Sequence, residues 1–217
     1  MFDLQKLKKN SLSEALTCSL SVSDSRGEEI AKLVPIGNWA LNDENLLHSF
    51  ASWRKTFSRF FFTQFETSAQ SAASYLKNRS IAQSNRIFFA IYLGDNLIGH
   101  MGLNNLDKEE AEIDNFIRGK SGGHSDLMYF SEKTLLTWAF EELKAKTIIG
   151  HMLSHNFMAK SLHERFGFKV EERHHLKKII SKNSTTLEKC DEIEATEKFY
   201  YDTIKLHKSS FLASLNK

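Results

Sequence analysis

The sequence predicts an α/β (α+β) fold in which a mixed, twisted sheet is flanked by helices. Apolar residues recur at helical spacing in two long stretches, residues 43–65 and 125–143, which predicts amphipathic helices there. Short apolar runs of strand length, bounded by turn-forming residues, alternate with these stretches. The chain has 217 residues, of which 41% are hydrophobic, and this is enough for one domain with its own core.

The first third of the chain predicts one clear strand and two helices. The strand is expected at residues 30–36, a long helix at 43–65 and a shorter helix at 67–78. Residues 1–29 are expected to form an N-terminal extension of unknown role. The only element predicted within that extension is a strand at residues 15–22.

The middle of the chain predicts a hairpin and a further strand. Strands at 86–93 and 97–103 flank the turn Gly94-Asp95-Asn96, a sequence typical of a β-hairpin. The next strand is expected at 111–117, and side chains alternate between the faces of a strand. One face is therefore expected to carry Glu112, Asp114 and Phe116, and the other to carry Ala111, Ile113, Asn115 and Ile117.

The last third of the chain predicts three strands and a helix. The strands are expected at 147–153, 168–172 and 199–206, and the helix at 156–166. Residues 174–197 are polar, charged and free of glycine. They are expected to form an irregular or partly ordered excursion.

A glycine-rich turn joins strand 111–117 to helix 125–143. It reads Arg118-Gly119-Lys120-Ser121-Gly122-Gly123-His124. Such a turn at a helix N-terminus binds anions, because its N–H groups and the helix dipole favour negative charge and glycine allows close approach. It is not a P-loop, because Asp114 stands where that motif needs its first glycine. No Gly-x-Gly-x-x-Gly fingerprint of a dinucleotide site occurs in this region.

A second motif lies in the helix predicted at 156–166 and reads Asn156-x-x-Ala159-x-x-Leu162-His163-x-x-x-Gly167-Phe168. The glycine-rich turn reads Arg118-x-x-Ser121-x-Gly123. Together these motifs resemble the GCN-related N-acetyltransferase (GNAT) superfamily, over roughly residues 87–173. Ser121 replaces the first glycine that is usual in the family, and His163 replaces a tyrosine.

The resemblance implies a GNAT-like, mostly antiparallel sheet and a single acetyltransferase domain at residues 30–217. It implies acetyl-CoA as the acyl donor and direct attack by an amine in a ternary complex. Backbone N–H groups from Gly119 to His124 are expected to bind the pyrophosphate of the donor. A backbone N–H near Phe116 is expected to stabilise the charge that develops on the carbonyl oxygen of the acetyl group. The residues expected to hold the donor are Phe116, Ile117, Arg118, Gly119, Lys120, Ser121, Gly122, Gly123, His124 and Asn156.

Three side chains are candidates for the proton transfers of the reaction. Asp114 or Glu112 is expected to deprotonate the acceptor ammonium; the alternative for each is a solvated carboxylate or one paired with a lysine. His163 is expected to protonate the leaving thiolate. The alternative for His163 is a helix residue that fills space beside the donor.

The expected acceptor is a small primary amine, in particular an amino sugar, free or linked to a nucleotide. This follows from a resemblance of residues 114–119 and of the helix around Trp138 to the small-molecule branch of the family. One alternative is an N-terminal protein acetyltransferase of the ribosomal-protein type. Another is a non-catalytic coenzyme A-binding module, given Ser121 and His163. Assembly into a homodimer is left open.

Composition argues against several other classes of protein. The net charge is only +2 and the basic residues are scattered, which disfavours nucleic-acid binding. No segment approaches the ~20 apolar residues of a membrane span. Cys18 and Cys190 occur without a signal peptide, so a reduced, cytoplasmic protein is expected. The histidines and cysteines lack the spacing of a metal site, and none is expected.

Overall fold

The structure is a computed structural model that describes residues 3–107 and 109–216. Within these residues ten strands form one sheet, in the order β1-β2-β4-β5-β6-β7-β10-β8-β9-β3. The strands are β1 (Leu20–Ser23), β2 (Glu29–Pro35), β3 (Thr63–Phe65), β4 (Ile87–Leu93), β5 (Asn96–Asn104), β6 (Glu110–Arg118), β7 (Thr147–Leu153), β8 (Lys169–Ile180), β9 (Ser184–Cys190) and β10 (Tyr201–His207). The α-helices are α1 (Leu12–Thr17), α2 (Glu44–Thr56), α3 (Ala69–Tyr75), α4 (Leu127–Glu141), α5 (Phe157–Glu164) and α6 (Lys208–Ser214).

All neighbouring strands are antiparallel except one pair, which confirms the predicted mixed, mostly antiparallel sheet. The exception is β6 with β7, which run parallel with α4 as the crossover. Their pairing begins at Glu110 with Thr147 and ends at Ile113 with Gly150. Beyond that pair no further residues of β6 and β7 are paired, and we call this unpaired region in the middle of the sheet the gap.

Helices cover both faces of the sheet. On one face, which we call the α4 face, residues such as Leu136 and Phe211 pack with Ile113 in one cluster. On the other face, which we call the α2 face, Trp53 and its helix pack with Ile117 in a second cluster. The gap between β6 and β7 therefore connects two sides of the molecule that are otherwise separated by the sheet.

Helix α2 is shorter than the 43–65 stretch that the apolar spacing predicts. It ends at Thr56, and Phe57 leaves the helical conformation. Residues Thr63–Phe65 instead form β3, which pairs with β9. The prediction is wrong here because phenylalanines at helical spacing are used in long-range contacts, such as that of the Phe60 ring with the His155 ring at a centroid distance of 5.6 Å.

The stretch 174–197, predicted to be irregular, is an ordered hairpin. Strand β8 continues to Ile180 and β9 returns along it. Each strand buries only one leucine, Leu176 or Leu187, in a small cluster with Leu153. With a single buried side chain per strand, the sequence shows no period-2 pattern, and the pairing depends on contacts with β10 and β3.

The N-terminal residues belong to the same sheet. The strand predicted at 15–22 starts too early, because helix α1 extends to Thr17 and begins with a capping box between Ser11 and Glu14. Strand β1 then pairs with β2 at the sheet edge. Lys8 donates from Nζ to the carbonyls of Ser80 (2.9 Å), Ile81 (3.2 Å) and Gln83. Burial lowers the pKa of Lys8 to about 8, and nearby Arg86 adds to the shift.

No helix in residues 3–107 and 109–216 has both the length and the apolar character needed to cross a membrane. The two cysteines, Cys18 and Cys190, are free thiols and each is partly exposed.

Candidate functional site

A β-bulge at Asn115 shapes the centre of the candidate site. The β5–β6 register pairs Gly102 with Asp114 and His100 with Ile117, so two residues of β6 face one of β5. Asn115 occupies the left-handed region with φ of 53°, which asparagine tolerates better than most residues. The extra residue changes the alternation of side chains along β6.

The bulge corrects the predicted faces of β6. Phe116 packs on the α4 face, with the cluster that holds Ala111 and Ile113, whereas Ile117 packs on the α2 face. A regular strand would have put Phe116 beside the carboxylates of Glu112 and Asp114. The single bulge instead sends its ring to the opposite side of the sheet.

The glycine-rich turn is folded against helix α2. A Cβ on Gly119 would lie 1.9 Å from the indole of Trp53, so only glycine fits there. The N–H groups of Gly119 and Lys120 both donate to the carbonyl of Ile98, at 2.8 and 2.9 Å. The expectation that these two N–H groups are free to bind pyrophosphate is therefore wrong.

The next four residues do present free N–H groups. Within the part of the chain that the structure describes, the N–H groups of residues 121–124 donate to no protein acceptor. Gly122 and Gly123 have φ of 117° and 72°, and a Cβ on Gly122 would meet open space. Successive unpaired N–H groups before a helix N-terminus fit a pyrophosphate well.

Arg118 shapes this turn from within. Its guanidinium donates to the carbonyls of Gly122 at 2.7 Å and Ser125 at 3.3 Å. Nδ1 of His124 accepts from the N–H of Asp126 at 3.0 Å. These bonds occupy Arg118 and one nitrogen of His124 in holding the turn, whereas the Lys120 side chain is exposed.

Asn156 begins helix α5 as its N-cap. Its Oδ1 accepts from the N–H of Ala159 at 3.3 Å. Its Nδ2 has no hydrogen-bond partner among residues 3–107 and 109–216, so one donor stays available at the end of β7.

His163 lies on the α4 face beside the gap. Its ring meets Phe116 edge-on with a centroid distance of 5.4 Å, and Phe168 lies 5.3 Å away. Its Nδ1 is 2.6 Å from Oε1 of Glu132, whose side chain is completely buried. Sequence reasoning missed Glu132, because it looks like one polar position in an amphipathic helix.

The two candidate bases lie on the opposite face, and their surroundings differ. Asp114 forms an ion pair with Arg86 and also accepts from Nδ2 of Asn115 at 2.6 Å. Arg86 in turn bonds the hydroxyl of Tyr75 at 2.5 Å. Asp114 is therefore one member of a polar network that already uses its oxygens.

The Glu112 carboxylate has fewer hydrogen-bond partners than that of Asp114. Its one hydrogen-bond partner in the described part of the chain is Nδ2 of Asn105, at 2.7 Å. Burial raises the pKa of Glu112, and the nearby carboxylate of Asp114 adds to the shift. A half-buried carboxylate with a raised pKa and no cationic partner holds a proton more strongly than an ordinary glutamate, which suits a general base.

A polar floor extends from Glu112 across β7 and β10. The register places Glu112 opposite Ile149, two residues before His151, and His151 opposite Thr203. Nδ1 of His151 is 3.4 Å from the Thr203 hydroxyl, and Tyr201 lies 5.3 Å from its ring. Burial lowers the pKa of His151 and raises that of Tyr201 to about 12.

His151 and Tyr201 are functional candidates that sequence reasoning missed. In the sequence, His151 of β7 and His155 of the following loop are considered only as candidate metal ligands. The alternation of strand 147–153 was the available signal, since it puts His151 on the same face as Ile149.

Comparison with known proteins gives a family match. A family model described as an acetyltransferase (GNAT) domain matches residues 36–169. A search of curated proteins gives no match.

Solved structures share the fold at low sequence identity. A probable GNAT-family acetyltransferase from Chromobacterium violaceum has a TM-score of 0.64 and 15% identity, over 88% of each chain. Spermidine N-acetyltransferase from Vibrio cholerae, in complex with CoA and spermine, has a TM-score of 0.63 and 17% identity, over 84% of this chain and 98% of that one. RimL, a ribosomal L7/L12 alpha-N-protein acetyltransferase in complex with CoA, has a TM-score of 0.63 and 12% identity, over 88% and 99%.

Proposed function

Because the chain belongs to the GNAT acetyltransferase family and is thereby an N-acetyltransferase that uses acetyl-CoA, we propose that its acceptor is a small, cationic primary amine. The observation that carries the proposal is Glu112, a half-buried carboxylate without a cationic partner beside the gap in the sheet. An ammonium group is attracted to such a carboxylate and is inert until it has lost a proton.

The donor fits on the α4 face. The free N–H groups of residues 121–124 would hold its pyrophosphate, and Lys120 adds a positive charge nearby. Nδ2 of Asn156 is a free donor at the start of α5, suited to the arm that leads to the thioester. Acetyl-CoA supplies the acetyl group as a thioester, whose carbonyl carbon is open to attack by an amine.

The acceptor fits on the α2 face, over the polar floor. Glu112 would take the proton of the ammonium, directly or through a water molecule. Asp114, held by Arg86, would instead contribute negative charge to the surroundings. The hydroxyls of Tyr201 and Thr203 and the ring of His151 offer further polar contacts to a small acceptor.

The gap between β6 and β7 joins the two halves of the site. Beyond Ile113 the β7-facing edge of β6 has no strand partner, so backbone N–H groups near Phe116 are candidates to stabilise charge on the carbonyl oxygen. His163, next to Phe116, is the candidate that gives a proton to the departing sulfur.

The proposal favours small amines over peptides, although both classes of acceptor carry an amine. Amino sugars and polyamines are both small cations, and a solved structure of similar fold is a spermidine acetyltransferase. Another is a protein N-terminal acetyltransferase, so peptides are the alternative class. The polar floor beside Glu112 is what favours a compact cation over a peptide.

The test is release of free thiol from acetyl-CoA with a panel of amino sugars, polyamines and short peptides. We expect turnover with at least one small amine and a higher kcat/KM for it than for any peptide. A peptide acetylated at its N-terminus more efficiently than every small amine would reverse the choice of acceptor class.

A further inference from the structure

We propose that Glu132 is a positioning residue for His163: its buried carboxylate holds Nδ1 of the imidazole and leaves Nε2 as the atom that gives a proton to the departing sulfur. The proposal rests on the proposed function, because it assigns His163 to the acetyl-transfer site. Neither sequence motif includes Glu132, which lies 31 residues before His163.

The burial of Glu132 calls for an explanation. It is the sixth residue of α4 and follows the buried Ser131, and its side chain has no exposed area. A carboxylate in such a place is unfavourable unless it is paired. In residues 3–107 and 109–216 its one hydrogen-bond partner is His163, and its Oε2 has none. A leucine here would be simpler if packing were the only requirement.

The geometry determines which nitrogen of His163 can act. The 2.6 Å separation of Nδ1 and Oε1 is that of a charge-assisted hydrogen bond. Nδ1 is therefore occupied, whichever atom holds the shared proton. Nε2 has no partner in the described part of the chain, and it is not among the buried polar atoms that lack one, so it retains access to solvent.

The surroundings of His163 make the carboxylate useful. The rings of Phe116 and Phe168 pack against the imidazole, and neither carries an oxygen or nitrogen atom that could orient it. The carboxylate of Glu132 is therefore the group that fixes the orientation of the ring, with Nε2 on the side away from Glu132.

The other charged groups around this ring are already paired. Lys160 and Glu164 of α5 line the small cavity beside His163 and lie 3.8 Å from each other. Glu132 is thus the charged group that the structure connects directly to His163.

The proton balance of the step is simple. As the carbon–sulfur bond breaks, Nε2 gives its proton to the sulfur, which keeps the bonding electron pair. His163 is then neutral, with Nδ1–H still bonded to Glu132. It regains a proton from solvent, which has received the proton that Glu112 removed from the amine.

The first test is the tautomer of His163 by nitrogen-15 NMR of the ring, in the whole chain without acceptor. We expect a protonated Nδ1 protected from exchange in the unmodified protein and in Glu164→Gln, which removes an adjacent exposed carboxylate. We expect Glu132→Leu to lose that protection and to give mixed tautomers. An unchanged tautomer in folded Glu132→Leu would overturn the proposal. Because this readout needs no turnover, it stays informative if the small-amine acceptor is wrong.

The second test is kinetic. Glu132→Gln keeps the shape of the side chain and removes its charge, and we expect kcat to fall roughly tenfold, below the ~10²-fold lower end for loss of a general acid. KM for acetyl-CoA should not change, Glu132→Asp should restore part of the rate, and Glu164→Gln should retain it. In a His163→Ala background Glu132→Gln should cause no further loss. An equal loss in both backgrounds would mean a structural role and would overturn the proposal.

Discussion

The residue with most influence on the acceptor side is Arg86, because it distinguishes two carboxylates that the sequence treats alike. Glu112 and Asp114 are two residues apart on β6, on the same face. Arg86 pairs with Asp114, which leaves Glu112 as the carboxylate without a cationic partner. Burial and the neighbouring carboxylate raise the pKa of Glu112. A fixed negative charge next to a carboxylate commonly raises the proton affinity of that carboxylate.

A prediction about rate follows for Glu112. Glu112→Gln should lower kcat/KM by roughly 10²-fold or more at neutral pH. The deficit should shrink as pH rises, because the amine then loses its proton to solvent. Glu110→Gln, on the same strand and face, is the matched control and should keep its rate. Parallel pH–rate profiles for Glu112→Gln and the unmodified enzyme would rule out Glu112 as the base.

A second prediction for Glu112 concerns stability: Glu112→Gln should stabilise the folded protein although it lowers the rate. A carboxyl group whose pKa is raised by folding destabilises the folded state once it is ionised, at pH values above its folded pKa, and has no such effect below the unfolded pKa. Glu112→Gln should therefore have a higher melting temperature than the unmodified protein at pH 7–8, with the difference vanishing in acid. Melting curves across pH would test this; a lower melting temperature at neutral pH would contradict it.

At the scale of elements, the glycine-rich turn combines a closed part with an open part. Gly119 is packed on Trp53 and its N–H is bonded to Ile98, which anchors the turn on the sheet. Gly122 and Gly123 then adopt positive φ and present the following N–H groups to solvent. The anchored end fixes where the open end lies, next to the first turn of α4.

The open part of the turn gives a matched pair of substitutions. Gly122→Glu should abolish acetyl-CoA binding, because it adds a carboxylate where the pyrophosphate is expected. Gly27→Glu, in the β1–β2 turn, also has positive φ and open space around its Cβ, so it should carry a similar backbone strain of about 1–3 kcal/mol without loss of binding. Equilibrium binding of acetyl-CoA would measure both. Normal binding by Gly122→Glu would mean that the phosphate site lies elsewhere.

At the scale of the whole molecule, the sheet separates the proposed donor from the proposed acceptor, and the gap between β6 and β7 is where the two faces meet. The α4 face carries the free N–H groups, Asn156 and His163, and the α2 face carries Glu112. A parallel pair that stays together only up to Ile113 and Gly150 is the feature that allows the two sides to meet.

Donor binding should stabilise the molecule as a whole. Acetyl-CoA at one hundred times its Kd adds ~2.7 kcal/mol to the free energy of unfolding. For a chain of this size that is roughly a 5–10 °C rise in melting temperature. A thermal melt with and without acetyl-CoA measures it, with the Gly122→Glu variant as control. The absence of any shift at millimolar acetyl-CoA would contradict the donor site.

Several features could be predicted from the sequence because they depend on residues close together in the chain. The hairpin turn at Gly94, the glycine-rich turn and the N-cap at Asn156 are set by backbone preferences and side chains a few residues apart. The family followed from the two motifs, which are local signals, and the mostly antiparallel sheet followed from the resemblance to that family.

Which side chains contact each other in the site depends on the tertiary structure. The bulge at Asn115 places Phe116 on the other face of the sheet. Arg86 forms an ion pair with Asp114, and Glu132 contacts His163 from another helix. The hairpin of β8 and β9 formed in a stretch without alternation, because its pairing partners lie far away in the chain. Arg86 and Asp114 are 28 positions apart in the chain, and Glu132 and His163 are 31 positions apart. A contact at that separation depends on how the whole sheet is assembled, and no short window of sequence contains it.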